Sequence, residues 1–296
     1  MGPERKRVPR IRNRRGRAGL ETLVQAEEQT IRGPGAATHP RLRRHKVGAD
    51  GREVTVYLPP GYEEDAGRAY PLLILQDGQN LFDPETAFIP GRTWRVAETA
   101  DEAITQGEVE PLAIAGVANA GERRLAEYTP SRDWRLGGGE AAQYGEMLMG
   151  ELLPLLRREY RLRSGAAETG LGGSSLGGLF SLWMGLREPG IFGKLAVLSP
   201  SVWWNHSYIL SYVEGAGRRL KDRPRIWLDA GDAEGRRTLA DADALDARLR
   251  HHGWRQGVDL HYERVVGGTH DEGAWAERVG PMLRFLFPAK RGGGAG

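Results

Sequence analysis

The sequence predicts an α/β fold, in which a mostly parallel sheet carries helices on both faces. Short apolar runs alternate along the chain with segments of helical periodicity, which is typical of successive strand-helix-strand units. Two runs, at 70–76 and 111–118, are apolar almost without interruption, as expected of strands buried on both faces of a parallel sheet. Hydrophobic residues make up 40% of the chain, so a large core can form.

The first half of the chain contains three predicted strands and two predicted helices. A strand with alternating apolar residues ends at Pro59, and the two apolar runs supply the other strands. Helical spacing of apolar residues predicts the two helices, the second of them irregular at Pro154. The predicted elements are strands at 53–58, 70–76 and 111–118, helices at 94–105 and 141–160, and a long loop at 122–139.

The second half alternates more regularly between the two types of element. Each strand is a short run rich in Val, Ile, Leu or Gly, and each helix follows a turn containing Gly, Ser or Asp. The predicted strands are 169–172, 194–198, 225–230 and 258–266, and the predicted helices are 176–187, 239–252 and 271–287.

The two ends of the chain differ in composition from its body. Residues 1–46 hold 13 Lys and Arg against 4 Asp and Glu, whereas the rest holds 29 against 35, so the net charge of +3 comes from the N-terminal segment. We expect residues 1–40 to be a disordered, solvated tail, residues 41–288 to form one catalytic domain, and the glycine-rich residues 289–296 to be flexible.

Several classes of protein are excluded or disfavoured by composition. The absence of cysteine removes disulfides, thiolate zinc sites and a cysteine nucleophile. We find no run of 18 or more apolar residues and no apolar segment behind the basic N-terminus, so we expect neither a membrane span nor a secretory signal. The cytoplasm is therefore the default location. The acidic body disfavours nucleic acid as a partner.

Residues 170–180 contain the pattern G-x-S-x-G, with Ser175 at its centre. A serine held on a sharp strand-to-helix turn leaves no room for side chains at the flanking positions, so glycines are needed there. The pentapeptide alone arises easily by chance, and it gains value when a strand precedes it and a helix, an acid and a histidine follow. The predicted elements supply that context, and Ser175 is the candidate nucleophile.

His270 is the candidate general base, because it lies in a glycine-rich turn after the last predicted strand. The acid that orients it is expected after the preceding strand, where Asp229, Asp232 and Glu234 lie. Asp229 is predicted to be still within the strand. The choice therefore lies between Asp232 and Glu234, and we favour Glu234.

An oxyanion hole requires two backbone N–H groups that point at the developing negative charge. The residue after the nucleophile, Leu176, supplies one candidate, and Gln79, in the loop after the strand at 70–76, supplies the other. Asp77 and Asp83 flank this loop, but two carboxylates without further ligands make a poor calcium site. We expect no metal and no cofactor.

With these residues in place, the chain resembles the esterase D and enterochelin-esterase branch of the α/β-hydrolases, which also includes feruloyl and acetylxylan esterases. The resemblance covers about residues 43–288 and implies the α/β-hydrolase fold. It also implies the roles of Ser175, Glu234 and His270, with the backbone of Gln79 and Leu176 as the oxyanion hole. The segments that carry it begin at Val56, Leu75, Arg124, Gly172, Ser199 and Gly268, the last reading Gly268-Thr269-His270.

The resemblance implies a serine esterase acting on a small-molecule ester, such as a siderophore, feruloyl or acetyl-sugar ester. Acyl transfer to an alcohol, as in the mycolyltransferases of this fold, is an alternative, and so is a non-catalytic binding module. The order of Ser, acid and His argues against the module. Arg124 is expected to meet either a polar substrate or Glu127. The candidates for substrate contact are Trp94, Arg124, Tyr128, Trp203 and Trp204.

Overall fold

The computed structural model describes residues 39–289. The tails were predicted as residues 1–40, disordered, and 289–296, flexible, and all but residues 39, 40 and 289 of them lie outside the described residues. The strands of this part of the chain are β1 (Leu42–Val47), β2 (Arg52–Tyr57), β3 (Leu72–Gln76), β4 (Ala113–Val117), β5 (Thr169–Ser174), β6 (Lys194–Leu198), β7 (Arg225–Gly231) and β8 (Leu260–Val265).

Helices fill most of the connections between these strands. They are α1 (Val96–Thr105), α2 (Arg124–Tyr128), α3 (Ala141–Met147), α4 (Leu153–Glu159), α5 (Leu176–Arg187), α6 (Trp204–Arg219), α7 (Arg236–His251) and α8 (Glu272–Leu286). A 3₁₀ turn, Gly78–Asn80, follows β3, and a π-helical segment, Leu148–Leu152, joins α3 to α4. In the described part of the chain, no helix combines the length and apolar character that crossing a membrane requires.

The strands form one sheet in the order β1-β2-β4-β3-β5-β6-β7-β8. β1 pairs antiparallel with β2, and β2 antiparallel with β4, while every later pairing is parallel. Helices α1 and α8 cover one face of the sheet, and α2 to α7 cover the other, each over its own hydrophobic cluster. The predicted α/β fold with a mostly parallel sheet is confirmed.

The strand order places a switch point between β3 and β5. From β3 the chain proceeds to β4 on one side, whereas β5 to β8 extend on the other side. The loops that leave the carboxyl ends of β3 and β5 therefore diverge and leave a crevice, which is where open α/β sheets bind ligands. Both loops carry residues predicted to be functional.

Three elements differ from the prediction. β1 was not predicted, because its sequence Leu-Arg-Arg-His-Lys-Val has no apolar alternation and it lies at the edge of the sheet. α2 occupies part of the predicted loop at 122–139, and α6 follows Trp203 where no helix was predicted. The irregularity expected at Pro154 is the π-helical segment that precedes it.

Candidate active site

Ser175 occupies the single residue between β5 and α5, with φ 55° and ψ −120°. This positive φ is costly for a residue with a side chain, by about 1–3 kcal/mol. Hydrogen bonds on both sides hold it: its N–H donates to the carbonyl of Leu198 at 3.0 Å, and its carbonyl accepts from Leu179 and Ser201 at 3.0 Å. The strand-to-helix turn expected of a nucleophile elbow is therefore present at Ser175.

Close packing explains the glycines that flank the elbow. A Cβ atom on Gly173 would lie 2.9 Å from Cβ of Gln76, and one on Gly177 would lie 3.0 Å from the same atom. Side chains there would push β3 away from the elbow. Without them, the end of β3 packs directly against the elbow.

His270 and Glu234 are joined by a hydrogen bond of 2.8 Å between Nδ1 of the imidazole and Oε2 of the carboxylate. The Glu234 side chain is fully buried, while that of His270 is 41% exposed. Because Nδ1 is bonded to the acid, Nε2 is the ring nitrogen available for a substrate or for Ser175. Asp232 instead accepts a hydrogen bond from Gly267 N at 2.7 Å and is exposed, so the residue that meets His270 is Glu234.

The loops after β7 and β8 approach each other at two glycines. A Cβ atom on Gly231 would lie 2.1 Å from the carbonyl oxygen of Gly268, so no larger residue fits at this position. The N–H of Ala233 donates to the same oxygen at 3.1 Å. This contact between the loops brings Glu234 and His270, which are 36 residues apart in sequence, within hydrogen-bonding distance.

Glu234 accepts more than one hydrogen bond. Oε1 accepts from Ser199 Oγ at 2.5 Å, from Gly231 N at 2.8 Å and from Arg278 Nη2 at 3.3 Å. Burial acts to raise the pKa of Glu234, but the hydrogen bonds from His270 and Ser199 outweigh it, so the pKa lies below its usual value. The carboxylate is therefore ionised at neutral pH. Arg278 and Ser199 were not identified from the sequence.

The side chain of Ser175 is directed toward a second serine. Its Oγ lies 3.2 Å from Oγ of Ser201, and within the described residues no hydrogen bond joins Ser175 Oγ to His270. Ser201 is 4% exposed and follows β6. The sequence offered no indication of this contact, because Ser201 follows β6 whereas the elbow follows β5.

Two backbone N–H groups, one after β5 and one after β3, have the character expected of an oxyanion hole. The N–H of Leu176 lies at the first position of α5, and that of Gln79 lies in the turn after β3. Among residues 39–289, neither donates a hydrogen bond to another residue. They are available to a negatively charged oxygen at the elbow.

Arg124 lies against Asp77 rather than Glu127. Its Nε and Nη2 atoms contact the two carboxylate oxygens of Asp77 at 2.7 and 3.0 Å. Glu127 forms a buried pair with both Nη atoms of Arg52, at 3.0 Å each. Of the two partners expected for Arg124, a polar substrate or Glu127, the contact with Glu127 is therefore not the one formed in this structure. Asp83 accepts a hydrogen bond from Nη2 of Arg44 at 2.8 Å. Asp77 and Asp83, the two carboxylates weighed above as a calcium site, therefore each pair with an arginine.

Three of the aromatic residues predicted to contact substrate are in the core. Trp94, Tyr128 and Trp204 are at most 1% exposed, and their ring surfaces are not available to a substrate in this structure. Tyr128 Oη accepts a hydrogen bond from the N–H of Asp77 at 3.2 Å, and Trp204 Nε1 donates to the carbonyl of Ser131 at 2.8 Å. This corrects the prediction for these three residues. Trp203 is half-buried and two residues from Ser201, so it remains a candidate.

The arrangement combines a serine on a strained turn, an imidazole oriented by a buried carboxylate, and two unpaired N–H groups. Together these groups can support nucleophilic attack on an acyl carbon, proton transfer through the imidazole, and stabilisation of an oxyanion. The chemistry is that of acyl transfer.

Comparison with known proteins agrees with this chemistry. A family model described as "Putative esterase" matches residues 49–286. The uncharacterized protein YbbA of Bacillus subtilis is 30% identical over 205 residues, which cover 66% of this chain and 73% of that protein. The iron(III) salmochelin esterase of Escherichia coli O6:H1 is 28% identical over 77% of this chain and 53% of that enzyme. The chain thus spans about half the length of this second relative.

Solved structures share the fold. The BES protein from Bacillus cereus superposes with a TM-score of 0.69 at 21% identity, covering 88% of this chain and 99% of that one. The enterobactin esterase FES from Shigella flexneri, solved in the presence of enterobactin, gives a TM-score of 0.64 at 22% identity, covering 88% and 61%. Because the family model spans most of residues 39–289, the chain belongs to this esterase family, and it shares its fold with these solved structures.

Proposed function

We propose that this protein hydrolyses carboxylic esters through an acyl-enzyme on Ser175, with His270 as general base and Glu234 as the acid that orients it. The observation that carries the proposal is the 2.8 Å hydrogen bond between His270 Nδ1 and the buried carboxylate of Glu234. It fixes the tautomer in which Nε2 is free to accept a proton. The left-handed φ of Ser175 supports its role as nucleophile.

The reaction begins when Ser175 Oγ attacks the ester carbonyl carbon and its proton passes to His270 Nε2. The C–O bond to the alcohol then breaks, and the imidazolium donates its proton to the leaving oxygen. Water attacks the acyl-serine in the same way and releases the acid. The Ser175 hydroxyl must first turn from Ser201 toward His270, and such hydrogen bonds commonly form only once substrate is bound.

The N–H groups of Leu176 and Gln79 stabilise the negative oxygen of the tetrahedral intermediate. The helix that begins at Leu176 packs on Gln76 through Gly177, and the turn of Gln79 packs on Gly116 through Gly78, so both N–H groups are held before substrate arrives. A single donor of this kind lowers the activation free energy by about 3–4 kcal/mol in serine hydrolases.

Hydrolysis is favoured over acyl transfer by the exposure of the imidazole. The His270 side chain is 41% exposed, so water can reach the nitrogen that must activate it. An acyltransferase has to keep water from the acyl-enzyme, and the described residues do not cover His270 in that way.

The proposed substrate class is a siderophore ester, with feruloyl and acetyl-sugar esters as the alternatives to be compared. Relatives of this chain include the iron(III) enterobactin esterase of Escherichia coli and the ferri-bacillibactin esterase BesA of Bacillus subtilis, at 34% and 27% identity. An endo-1,4-beta-xylanase/feruloyl esterase of Xylanibacter ruminicola is 26% identical. The half-buried Trp203 is the candidate wall for an aromatic acyl group.

The test compares the parent with Ser175→Ala, using short p-nitrophenyl esters and a fluorophosphonate probe. Ser174→Ala is the matched control, because Ser174 is the adjacent serine and is 4% exposed at the end of β5. We expect Ser175→Ala alone to lose turnover and labelling. Labelling that persists in Ser175→Ala, or a parent that neither labels nor turns over, would contradict the proposal. The values of kcat/KM for enterobactin, feruloyl and acetyl-sugar esters then give the order of preference among the substrates.

A further inference from the structure

Arg278 is buried between two carboxylates on the side of Glu234 that faces away from His270. Its Nη1 lies 2.8 Å from Oδ1 of Asp229, and its Nη2 lies 3.3 Å from Oε1 of Glu234. The Arg278 side chain is 3% exposed, and both carboxylates are fully buried. Nη2 also donates to the carbonyl of Thr269, the residue before His270, at 3.2 Å. One guanidinium thus contacts the loops that carry the base and the acid.

Ser199 completes this network and has a defined proton direction. Its Oγ accepts from Nη1 of Arg278 at 2.8 Å and from Nε1 of Trp275 at 3.2 Å. These two donors occupy both lone pairs of the hydroxyl, so its single proton can point only at its third neighbour, Oε1 of Glu234, at 2.5 Å. Arg278 therefore acts on Glu234 twice, directly and through Ser199.

Arg278 supplies a positive charge between the buried carboxylates of Asp229 and Glu234. Asp229 and Glu234 carry two negative charges, Arg278 carries one positive charge, and the net charge of −1 is balanced when His270 takes up a proton. Without Arg278 two carboxylates would share one water-free site, and such pairs keep one proton. Burial already raises the pKa of Asp229 to about 6, against the opposing effect of Arg278.

We propose that Arg278 is a positioning residue of the active site, which keeps Glu234 ionised and directed at His270. The negative charge of Asp229 offsets the cost of burying the guanidinium. The inference rests on the proposed roles of His270 and Glu234. The alternative is that Arg278 and Asp229 form only a structural ion pair that attaches α8 to the sheet.

The two possibilities differ in their effect on the pH profile. A structural ion pair, once removed, lowers stability and leaves the ionisations of the folded enzyme unchanged. If Arg278 keeps Glu234 ionised, its loss raises the pKa of Glu234, and the acid limb of the kcat/KM profile moves to higher pH.

The chain offers a matched control in Arg163. Its Nη atoms lie 2.5 Å from Glu110 and 2.8 Å from Glu168, so it is also one arginine between two carboxylates. Arg163 precedes the amino end of β5, whereas Ser175 follows its carboxyl end, so the two residues lie at opposite ends of the strand. Arg163→Met should lower thermal stability without moving the pH profile.

The experiment measures kcat/KM against pH for p-nitrophenyl ester hydrolysis by the parent, Arg278→Met, Arg278→Lys and Arg163→Met. For Arg278→Met we expect kcat to fall about 10- to 100-fold and the acid limb to shift upward by about one pH unit or more. Arg278→Lys should keep the limb of the parent, since the charge remains. An unshifted limb in Arg278→Met overturns the proposal, as does a limb that shifts equally in Arg163→Met.

A double variant keeps the test informative if Arg278→Met folds poorly. Asp229→Asn combined with Arg278→Met restores the net charge of −1 with Glu234 as the only buried carboxylate of the network. Its acid limb should return to that of the parent, although kcat stays reduced because the hydrogen bonds are lost. A limb that remains shifted contradicts the charge argument. A parent without esterase activity would instead refute the proposed function, so the two failures are distinguishable.

Discussion

The Oγ atoms of Ser175 and Ser201 lie 3.2 Å apart, so the hydroxyl of the proposed nucleophile is within hydrogen-bonding distance of a second serine. The main chains of the two residues are also joined, because Ser201 N donates to the carbonyl of Ser175 at 3.0 Å. The elbow after β5 and the loop after β6 are thus joined at Ser175 by one side-chain contact and one main-chain hydrogen bond. Attack on an ester requires the Ser175 hydroxyl to leave Ser201 and turn toward His270.

The first prediction concerns that exchange of partners. A hydrogen bond of this kind contributes about 0.5–1.5 kcal/mol, so its removal should favour the orientation toward His270. We expect Ser201→Ala to increase the rate of fluorophosphonate labelling of Ser175 by up to about tenfold. Ser201→Thr, which retains a hydroxyl, is the control and should stay near the parent rate. A fall of more than tenfold in Ser201→Ala would mean that the hydroxyl takes part in the reaction.

The second prediction separates Trp203 from Trp204. Trp204 is 1% exposed in the core, and its truncation to Ala should cost about 3–5 kcal/mol in the free energy of unfolding. Trp203 is half-buried and two residues from Ser201, so Trp203→Ala should raise KM for an aromatic ester several-fold with a smaller loss of stability. Denaturant melts and kinetics on feruloyl and acetyl esters test both statements. A KM for the feruloyl ester that is unchanged in Trp203→Ala, or that rises no more than the KM for the acetyl ester, would remove Trp203 from the substrate site.

The third prediction distinguishes the two acids left open by the sequence. Glu234→Gln preserves shape but removes the charge that stabilises the imidazolium, so kcat should fall by about 10² to 10⁴. Asp232→Asn retains an oxygen that can accept the hydrogen bond of Gly267 N and should change kcat by less than about twofold. Steady-state kinetics at neutral pH measure both. The opposite order would exchange the roles of the two residues.

Much of the fold and the centre of the site could be predicted from sequence, because both depend on local patterns. The apolar runs of β3 and β4 indicate buried strands, and Ser175 and His270 stand at ends of predicted elements in the expected order. β1 could not be found in this way, since an edge strand paired only with β2 needs no apolar alternation. Its register is given by backbone pairing with β2, which leaves no pattern in the sequence.

The groups that support the site were not predictable because they depend on contacts across long sequence separations. Arg278 lies in a helix where an arginine would ordinarily face water, and its partner Asp229 is 49 residues earlier. Arg124 was a candidate for substrate contact, but its partner Asp77 lies 47 residues earlier, in the loop after β3. A buried charge of this kind is recognised only when the fold brings its partner into contact.

The fourth prediction tests the contact between the two loops that carry the acid and the base. In Gly231→Ala the new Cβ would meet the Gly268 carbonyl oxygen at 2.1 Å and Oε1 of Glu234 at 2.9 Å. We expect a loss of about 1–3 kcal/mol in the free energy of unfolding and a fall in kcat, because the loops must separate. Gly215→Ala is the control. This residue lies within α6 with nothing near its Cβ position, so it should be neutral or stabilising by up to about 1 kcal/mol. Unchanged activity in Gly231→Ala would mean that the loops tolerate separation.

The last prediction concerns pH and the attachment of the first described residues to the domain. Asp101 in α1 accepts hydrogen bonds from His39 at 2.9 Å, from Tyr57 at 2.5 Å and from Arg41. Burial acts to raise the pKa of Asp101, but these three partners lower it below its ordinary value of 3.8. A carboxylate whose pKa is lowered by folding contributes stability above its unfolded pKa and loses it as pH falls through the folded value.

Asp101→Asn should therefore lower Tm at neutral pH, and the difference from the parent should shrink as pH falls below 3.8. The control is Asp133→Asn, because the pKa of Asp133 is also lowered but by the N–H groups of Leu136 and Arg135 within one exposed turn, so its effect on Tm should be small throughout. Thermal melts followed by circular dichroism from neutral pH to pH 3 measure both differences. A Tm difference for Asp101→Asn that is constant or grows toward acid pH would contradict the prediction, because it would mean that Asp101 does not stabilise the fold as a carboxylate.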